Sequence, residues 1–206
     1  MATASQQNES LMDAVKRDHA EISSYYHEYR KSGANLDAKE RWANQLIWEI
    51  ARHAAGEEIV VYPLFEKHLG QQGHDMAERD RRDHQAVKDR LYRLEKMSVG
   101  SGDYDQLMDE TMSVLDEHVK TEESHDLPLL EQQLGTEKSK SEAVSFRRTK
   151  QFVPTRPHPR APTKPPFETV VGLLTAPLDK LKDAFSKFPT EEMLEQAKKE
   201  QSLPSK

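Results

Sequence analysis

Residues 53–70 read HAAGEEIVVYPLFEKHLG, and residues 118–135 read HVKTEESHDLPLLEQQLG. Both stretches open on His, place Glu-Glu four residues on, reach Pro-Leu-x-Glu six residues past the first Glu, and close on Leu-Gly. A shift of 65 residues relates them without a gap, and the same shift lays Arg17-Asp18-His19 on Arg82-Asp83-His84. Such a repeat constrains the fold before any other property does, because both halves must be the same supersecondary unit.

Periodicity says what that unit is. Leu11, Val15, His19, Ile22, Tyr26 and Tyr29 recur at three- and four-residue steps, with Ser10 and Asp13 placed as a capping pair. After KSGAN, Asp37 reads as an N-cap with Glu40 three residues on, and Trp42, Leu46, Ile50, His53, Glu57, Val60 and Leu64 form one stripe. LGQQG breaks the chain before Ala77, His84, Val87, Leu91 and Leu94; VGSGD precedes Leu107, Thr111, Leu115, His118, Glu122, His125 and Leu129. Pro63 and Pro128 are expected to kink or end their helices. Each half thus reads as helix, loop, helix. The expected fold is all-α: an up-down-up-down four-helix bundle of two pseudo-twofold-related hairpins over residues 1–137, with a mostly disordered C-terminal tail.

On a helix, positions i and i+4 share a face about 5–6 Å apart. His53 with Glu57, and His118 with Glu122, can therefore each address one point, and His19 and His84 lie in the apolar stripes of the other two helices. Buried polar groups in this number are costly unless something pairs with them. With no cysteine in the chain, thiolate zinc sites, iron–sulfur clusters, disulfides and thiol nucleophiles are excluded, so a metal must be held by nitrogen and oxygen. If Glu57 and Glu122 each bridge, two ions receive two histidines and two carboxylate oxygens apiece, leaving room for a small ligand. Such donors suit iron, with manganese or zinc as substitutes.

This pattern resembles the hemerythrin-like proteins with an HHE cation-binding domain: a His on the first helix, HxxxE on the second, and the pair again, over roughly residues 10–135. The resemblance implies a four-helix bundle around a non-haem di-iron site with His19, His53, Glu57, His84, His118 and Glu122 as ligands. Ferritin-type di-iron bundles write Glu before His, as Glu-x-x-His; the order here is the reverse. The chain also departs from the oxygen-carrying hemerythrins, which have a fifth histidine four residues from the first on the third helix. The flanking positions here are Asp80 and Lys88. The carriers space His and Asp five apart on the fourth helix, against His118 and Glu122 four apart here.

Other polar residues are read more plainly. Glu58, Glu123, Asp18 and Asp83 are expected chiefly as salt-bridging surface groups, with a role behind a histidine N–H as the lesser reading. His125 falls on the inward stripe, as a partly buried histidine or, more sharply, an extra ligand or proton donor. Tyr25, Tyr26 and Tyr62 stand where they could approach the cluster. Trp42 and Trp48 read as core and flank, and His27, His68, His74 and His158 as solvent-facing.

The charge is uneven. Residues 1–137 hold 16 Lys+Arg against 28 Asp+Glu, so they would repel nucleic acid, whereas 138–164 hold 8 against 1. Residues 138–166 are expected as a basic, Pro-rich, extended linker, and 167–206 as a short amphipathic helical tail with Val170, Leu174, Leu178, Leu181 and Phe185 on one face. Docking on the bundle competes with a membrane or protein contact for this tail. No run of apolar residues reaches membrane-span length and the first residues lack a secretory pattern, so the expected location is cytoplasmic. Two functions follow: a metal protein that binds or senses dioxygen, peroxide or nitric oxide, or a regulatory module whose metal orders the bundle and whose tail meets a partner. The sequence names no electron donor and no separate substrate pocket, which favours binding over turnover.

Overall fold

The computed structural model describes residues 8–161 and 167–201, and every regular element among them is helical. Helix α1, Leu11–Lys31, starts where Ser10 Oγ accepts from the Asp13 N–H at 3.0 Å, the cap expected from the sequence. Helix α2, Leu36–Gly56, starts one residue before Asp37. Asn35 is its cap, accepting from the Ala38 N–H at 3.2 Å, and Asp37 instead pairs with Arg41 along the first turn.

A five-residue π-helical segment, π1 (Glu57–Val61), continues α2 into α3 (Tyr62–Leu94). The second half repeats this with α4 (Gly102–Thr121), π2 (Glu122–Asp126) and α5 (Leu127–Leu134). Tyr62 N–H donates to the Glu57 carbonyl, and Leu127 N–H to the Glu122 carbonyl, each spanning a turn one residue wider than an α-turn. The prolines expected to kink or end the helices follow directly, inside the first turn of α3 and α5. A proline ring inside an α-helix clashes with the carbonyl four residues back. The widened turn relieves that clash, so the chain stays helical through both prolines.

Within α3 the break expected at LGQQG is a sharp bend at Gly70 (φ 58°, ψ −133°). Gly73 sits so close to the first turn that a Cβ there would lie 1.9 Å from the Phe65 carbonyl oxygen. α1 packs on α2, and α3 on α4. Two apolar clusters result. One gathers Ile22, Trp42, Ile50, Val87, Leu91 and Leu115; the other gathers Val15, Val61, Phe65, Ala77, Leu127 and Phe146. Each inward histidine lies along its helix between a member of one cluster and a member of the other. The polar site is therefore a layer between two dry ones.

The tail differs from expectation. Helix α6 (Thr136–Thr149) takes up residues 138–149, expected as extended linker; it packs on α1 and π1 and buries Ser139, Ala143 and Phe146. Small buried residues give little apolar signal, so the stripe is not legible against the surrounding lysines and serines. Basic residues do lie along the acidic helices: Arg147 on Glu9 at 2.8 Å, Lys150 on Asp18 and Glu49, Arg156 on Glu95 at 3.1 Å. Residues 162–166 of the expected linker lie outside the described residues.

Helix α7, Phe167–Asp183, carries Pro177 inside it, and α8 spans Glu191–Gln201. The side chains of Val170 and Leu174 lie outside the described residues. Leu178, Leu181 and Phe185 are 64%, 60% and 86% exposed, so the described part of the apolar face read from the sequence points outward. Among the described side chains, Ala176 and Asp179 of α7 and Ala197 of α8 are buried instead, the last with Met193 and Leu194 beside it. Among the described residues no helix is long and apolar enough to cross a membrane.

Candidate metal centre

The structure brings together all six residues of the doubled motif. His19 from α1, His53 from the end of α2, Glu57 from π1, His84 from α3, His118 from α4 and Glu122 from π2 are all buried. Glu57 Oε1 lies 3.2 Å from His53 Nε2 and 3.8 Å from His19 Nε2, while its Oε2 lies 3.3 Å from His84 Nε2. Glu122 Oε2 lies 3.4 Å from His19 Nε2 and 3.8 Å from His118 Nε2. The Nε2 atoms of His84 and His118 are 3.2 Å apart. Both carboxylates thus face both histidine pairs, Glu57 with its two oxygens and Glu122 with one. His19, His53 and Glu57, like Glu57, His84 and His118, place one donor atom each within 4.8 Å of one another.

These atoms are badly served by protein alone. Both oxygens of Glu57 and of Glu122, and the Nε2 atoms of His19 and His53, are buried without a hydrogen-bond partner. Each such group costs about 1–3 kcal/mol, and a charged one more. Burial pushes the Glu57 carboxyl well above the usual carboxylate range, and the Glu122 charge adds to this. Glu122 is raised likewise, by burial first and then by Asp80. Burial also holds His53 and His118 well below the ordinary imidazole value, with His19 and His84 respectively the next causes, and lowers His84. A cation at the centre answers every one of these costs, because it needs ionised carboxylates and neutral imidazoles. The residues present fit a metal.

Behind the four imidazoles stand four acids, each held by a cation. His19 Nδ1 is 2.8 Å from Glu123 Oε1, and Lys16 lies 3.5 Å from the other oxygen. His84 Nδ1 is 3.2 Å from Glu58 Oε1, which Lys88 holds at 2.6 Å. His53 Nδ1 is 3.5 Å from Asp18 Oδ2, which Lys150 holds. His118 Nδ1 is 3.7 Å from Asp80 Oδ1, which Arg79 holds at 2.9 Å. An acid hydrogen-bonded to the outer ring nitrogen fixes the tautomer and orients the inner nitrogen toward a metal. His19 and His84 have such a bond, whereas the outer nitrogens of His53 and His118 face their acids at 3.5 and 3.7 Å without a hydrogen bond. Glu58, Glu123 and Asp18 are therefore not the surface groups the sequence suggests; Glu58 and Asp18 are buried. Asp83 comes closest to that reading, 40% exposed and 4.0 Å from His118. The hydrogen bond to His19 holds the Glu123 carboxyl below its usual range. Burial lifts Asp80 to about 7.

Asp80 and Lys88, the two positions where a further histidine is absent, thus sit behind His118 and His84. Sequence spacing gave no sign of this, nor of Lys150. The π-segments explain the error at His125. An α-helix through Glu122 would carry His125 inward, but the extra residue in the turn rotates the chain. His125 is 55% exposed, with Nδ1 2.7 Å from Asp126 Oδ1, and the fully buried residue is Asp126, held by Arg79. His125 is not positioned to be a ligand. Of the three tyrosines, Tyr62 reaches the site: it is fully buried, its hydroxyl is 3.0 Å from His84 Nε2, and burial raises it well above the usual phenol value. Tyr25 stacks on Trp42, and Tyr26 donates to Asp109. Trp42 is core and Trp48 flank, its ring edge-on to Phe188. His27 and His74 are exposed, whereas His68 and His158 are half-buried, His158 against Asp179 at 2.9 Å.

A family model described as the hemerythrin HHE cation binding domain matches residues 10–130. A hemerythrin-like protein of Schizosaccharomyces pombe is 50% identical over 179 residues, covering 87% of this chain and 88% of that one. No solved structure matches the chain.

Proposed function

The chain belongs to the hemerythrin HHE cation-binding family, and from that premise we propose that it is a four-helix-bundle, non-haem di-iron protein that binds or senses a small oxidant. His19, His53, Glu57, His84, His118 and Glu122 would hold the ions, and Glu57 and Glu122, each approaching a histidine of both pairs, would be the shared carboxylates. The observation that carries this reading is the set of buried carboxylate oxygens and Nε2 atoms with no partner. All-nitrogen-and-oxygen donors favour iron, with manganese or zinc able to replace it.

When bound, the ions supply open coordination positions and one-electron redox capacity, for which dioxygen, peroxide and nitric oxide are the candidate partners. The protein's own part is to prepare the place. Glu123 and Glu58 orient two imidazoles by hydrogen bonds, Asp18 and Asp80 face the outer nitrogens of the other two at 3.5 and 3.7 Å, and the two apolar clusters flank the layer on either side. Tyr62 keeps its proton and offers one hydroxyl donor at the inner face. The sequence names no electron donor and no separate substrate pocket, so binding and sensing are preferred to turnover.

The test is the near-ultraviolet spectrum of iron-loaded protein, reduced, then exposed to air or nitric oxide. The proposal expects a spectrum that changes with each ligand. In Tyr62→Phe it expects full iron content with a changed dissociation rate for nitric oxide. A loaded protein whose spectrum ignores all of these ligands would contradict the functional reading.

A further inference from the structure

The four cations behind the imidazoles do not come from the same part of the chain. Lys16, Arg79 and Lys88 lie inside residues 10–130, the span that the family model matches. Lys150 does not. It follows α6, and it is brought to the site by a series of specific contacts. Gly135, at φ 69°, turns the chain from α5 into α6. Ser139 Oγ then accepts from the Leu11 N–H at 2.8 Å and donates to Glu131 at 2.7 Å, tying α6 to the start of α1. Phe146 is fully buried with its ring perpendicular to His53, centroids 6.3 Å apart. Gly56 makes room: a Cβ there would meet Phe146 Cε2 at 2.9 Å and Lys150 Cγ at 3.1 Å.

Lys150 itself is buried and bonds both Asp18 and Glu49. The Asp18 oxygen that it holds, Oδ2, is the one 3.5 Å from His53 Nδ1. In the second half the corresponding chain, Arg79–Asp80–His118, is complete within the bundle. Val114 occupies the position that Glu49 holds in the first half. The repeat mate of Asp18 is Asp83, which lies 4.0 Å from His118, so the two halves back His53 and His118 differently. The second half draws acid and cation from Asp80 and Arg79, and the first takes its cation from the C-terminal extension.

We infer that Lys150 is a positioning residue of the metal centre, acting through Asp18 to orient His53, so that the extension beyond the family domain is a working part of the site. A buried acid pair beside His53, with its lysine removed, would be free to turn toward the solvent side or to recruit another cation. Loss of an outer partner of a ligating histidine typically costs about 10–100-fold in metal affinity. The effect on metal rests on the reading above; the effect on the His53 ring does not.

Two measurements therefore run together on the full chain: histidine ring nitrogen chemical shifts in metal-free protein, and iron release to a chelator from loaded protein. Lys150→Met should move the His53 ring signals while leaving those of His84, and should speed iron release on the order of tenfold. Lys150→Arg should restore both, and Arg147→Gln, which only unties α6 from Glu9, should change neither. Parent values of ring shift and release rate in folded Lys150→Met would overturn the inference. Should that variant not fold, Asp18→Asn and Asp18→Asn/Lys150→Met replace it, since Glu49 keeps Arg52 at 3.4 Å. Action through Asp18 predicts equal ring shifts in these two and release equally faster than parent; release at the parent rate in Asp18→Asn, or much faster release in the double variant, overturns it. A parent that takes up no iron but shows the ring shift in Lys150→Met sinks the metal reading and keeps the positioning one.

Discussion

Glu57→Gln isolates the carboxylate whose two oxygens face different histidine pairs. The amide keeps the volume and removes a charge that burial already opposes. The metal-free variant should melt no lower than the parent, yet take up little metal. A sharp fall in melting temperature with metal uptake intact would mean that Glu57 is structural. The pH dependence has a definite sign. Glu57 and Glu122 are raised above 4.5, so in the metal-free fold their stabilising contribution is full below that value and lost as pH rises through the raised values. His53, His84 and His118 are depressed below 6.5, so theirs is full above it and lost as pH falls through the depressed values. A bound cation demands ionised acids and neutral imidazoles, so the melting-temperature gap between loaded and metal-free protein should widen from about pH 5 to 8; a gap that narrows contradicts the account. The six inward residues were legible because periodicity and duplication locate them together. Their supporting acids were not, since Glu58 and Asp18 look like surface charge until the facing helix is known.

At the scale of elements, the π-segments decide which residues face inward. Their sequence mark is Glu-Glu followed by Pro six residues past the first Glu, visible in both halves, but an ideal α-helical wheel runs straight through it. That is why His125 was misplaced and Asp126 overlooked. Two glycines test the packing between elements. Gly73→Ala drives a methyl into the Phe65 carbonyl and should cost at least about 1–3 kcal/mol in denaturant unfolding. Gly56→Ala presses on a phenyl edge and a flexible lysine stem, so it should cost less and chiefly loosen α6. Equal costs would mean that α6 is held as rigidly as the main helices. Helix α6 was not legible because its buried face consists of Ser139, Ala143 and Phe146 among six charged residues.

Taken whole, the molecule is a duplicated hairpin pair whose two apolar clusters sandwich a polar layer, closed on one side by an extension. The repeat revealed the duplication and the all-helical class; it could not reveal the extension's docking, because no part of the tail repeats anything. Removing residues 138–206 takes away Phe146, and large core residues typically cost about 3–5 kcal/mol when truncated to Ala. It also leaves Asp18 and Glu49 without Lys150. The truncated protein should melt well below the parent. Linkage requires that if α6 supports the centre, metal supports α6, so loading should slow proteolysis after Lys150; cleavage at the same rate with and without metal would uncouple the two. The most direct test of the whole account is metal analysis of folded protein offered iron, manganese and zinc. It predicts two ions per chain, lost in His118→Ala. Well-folded protein that retains none of the three would contradict it.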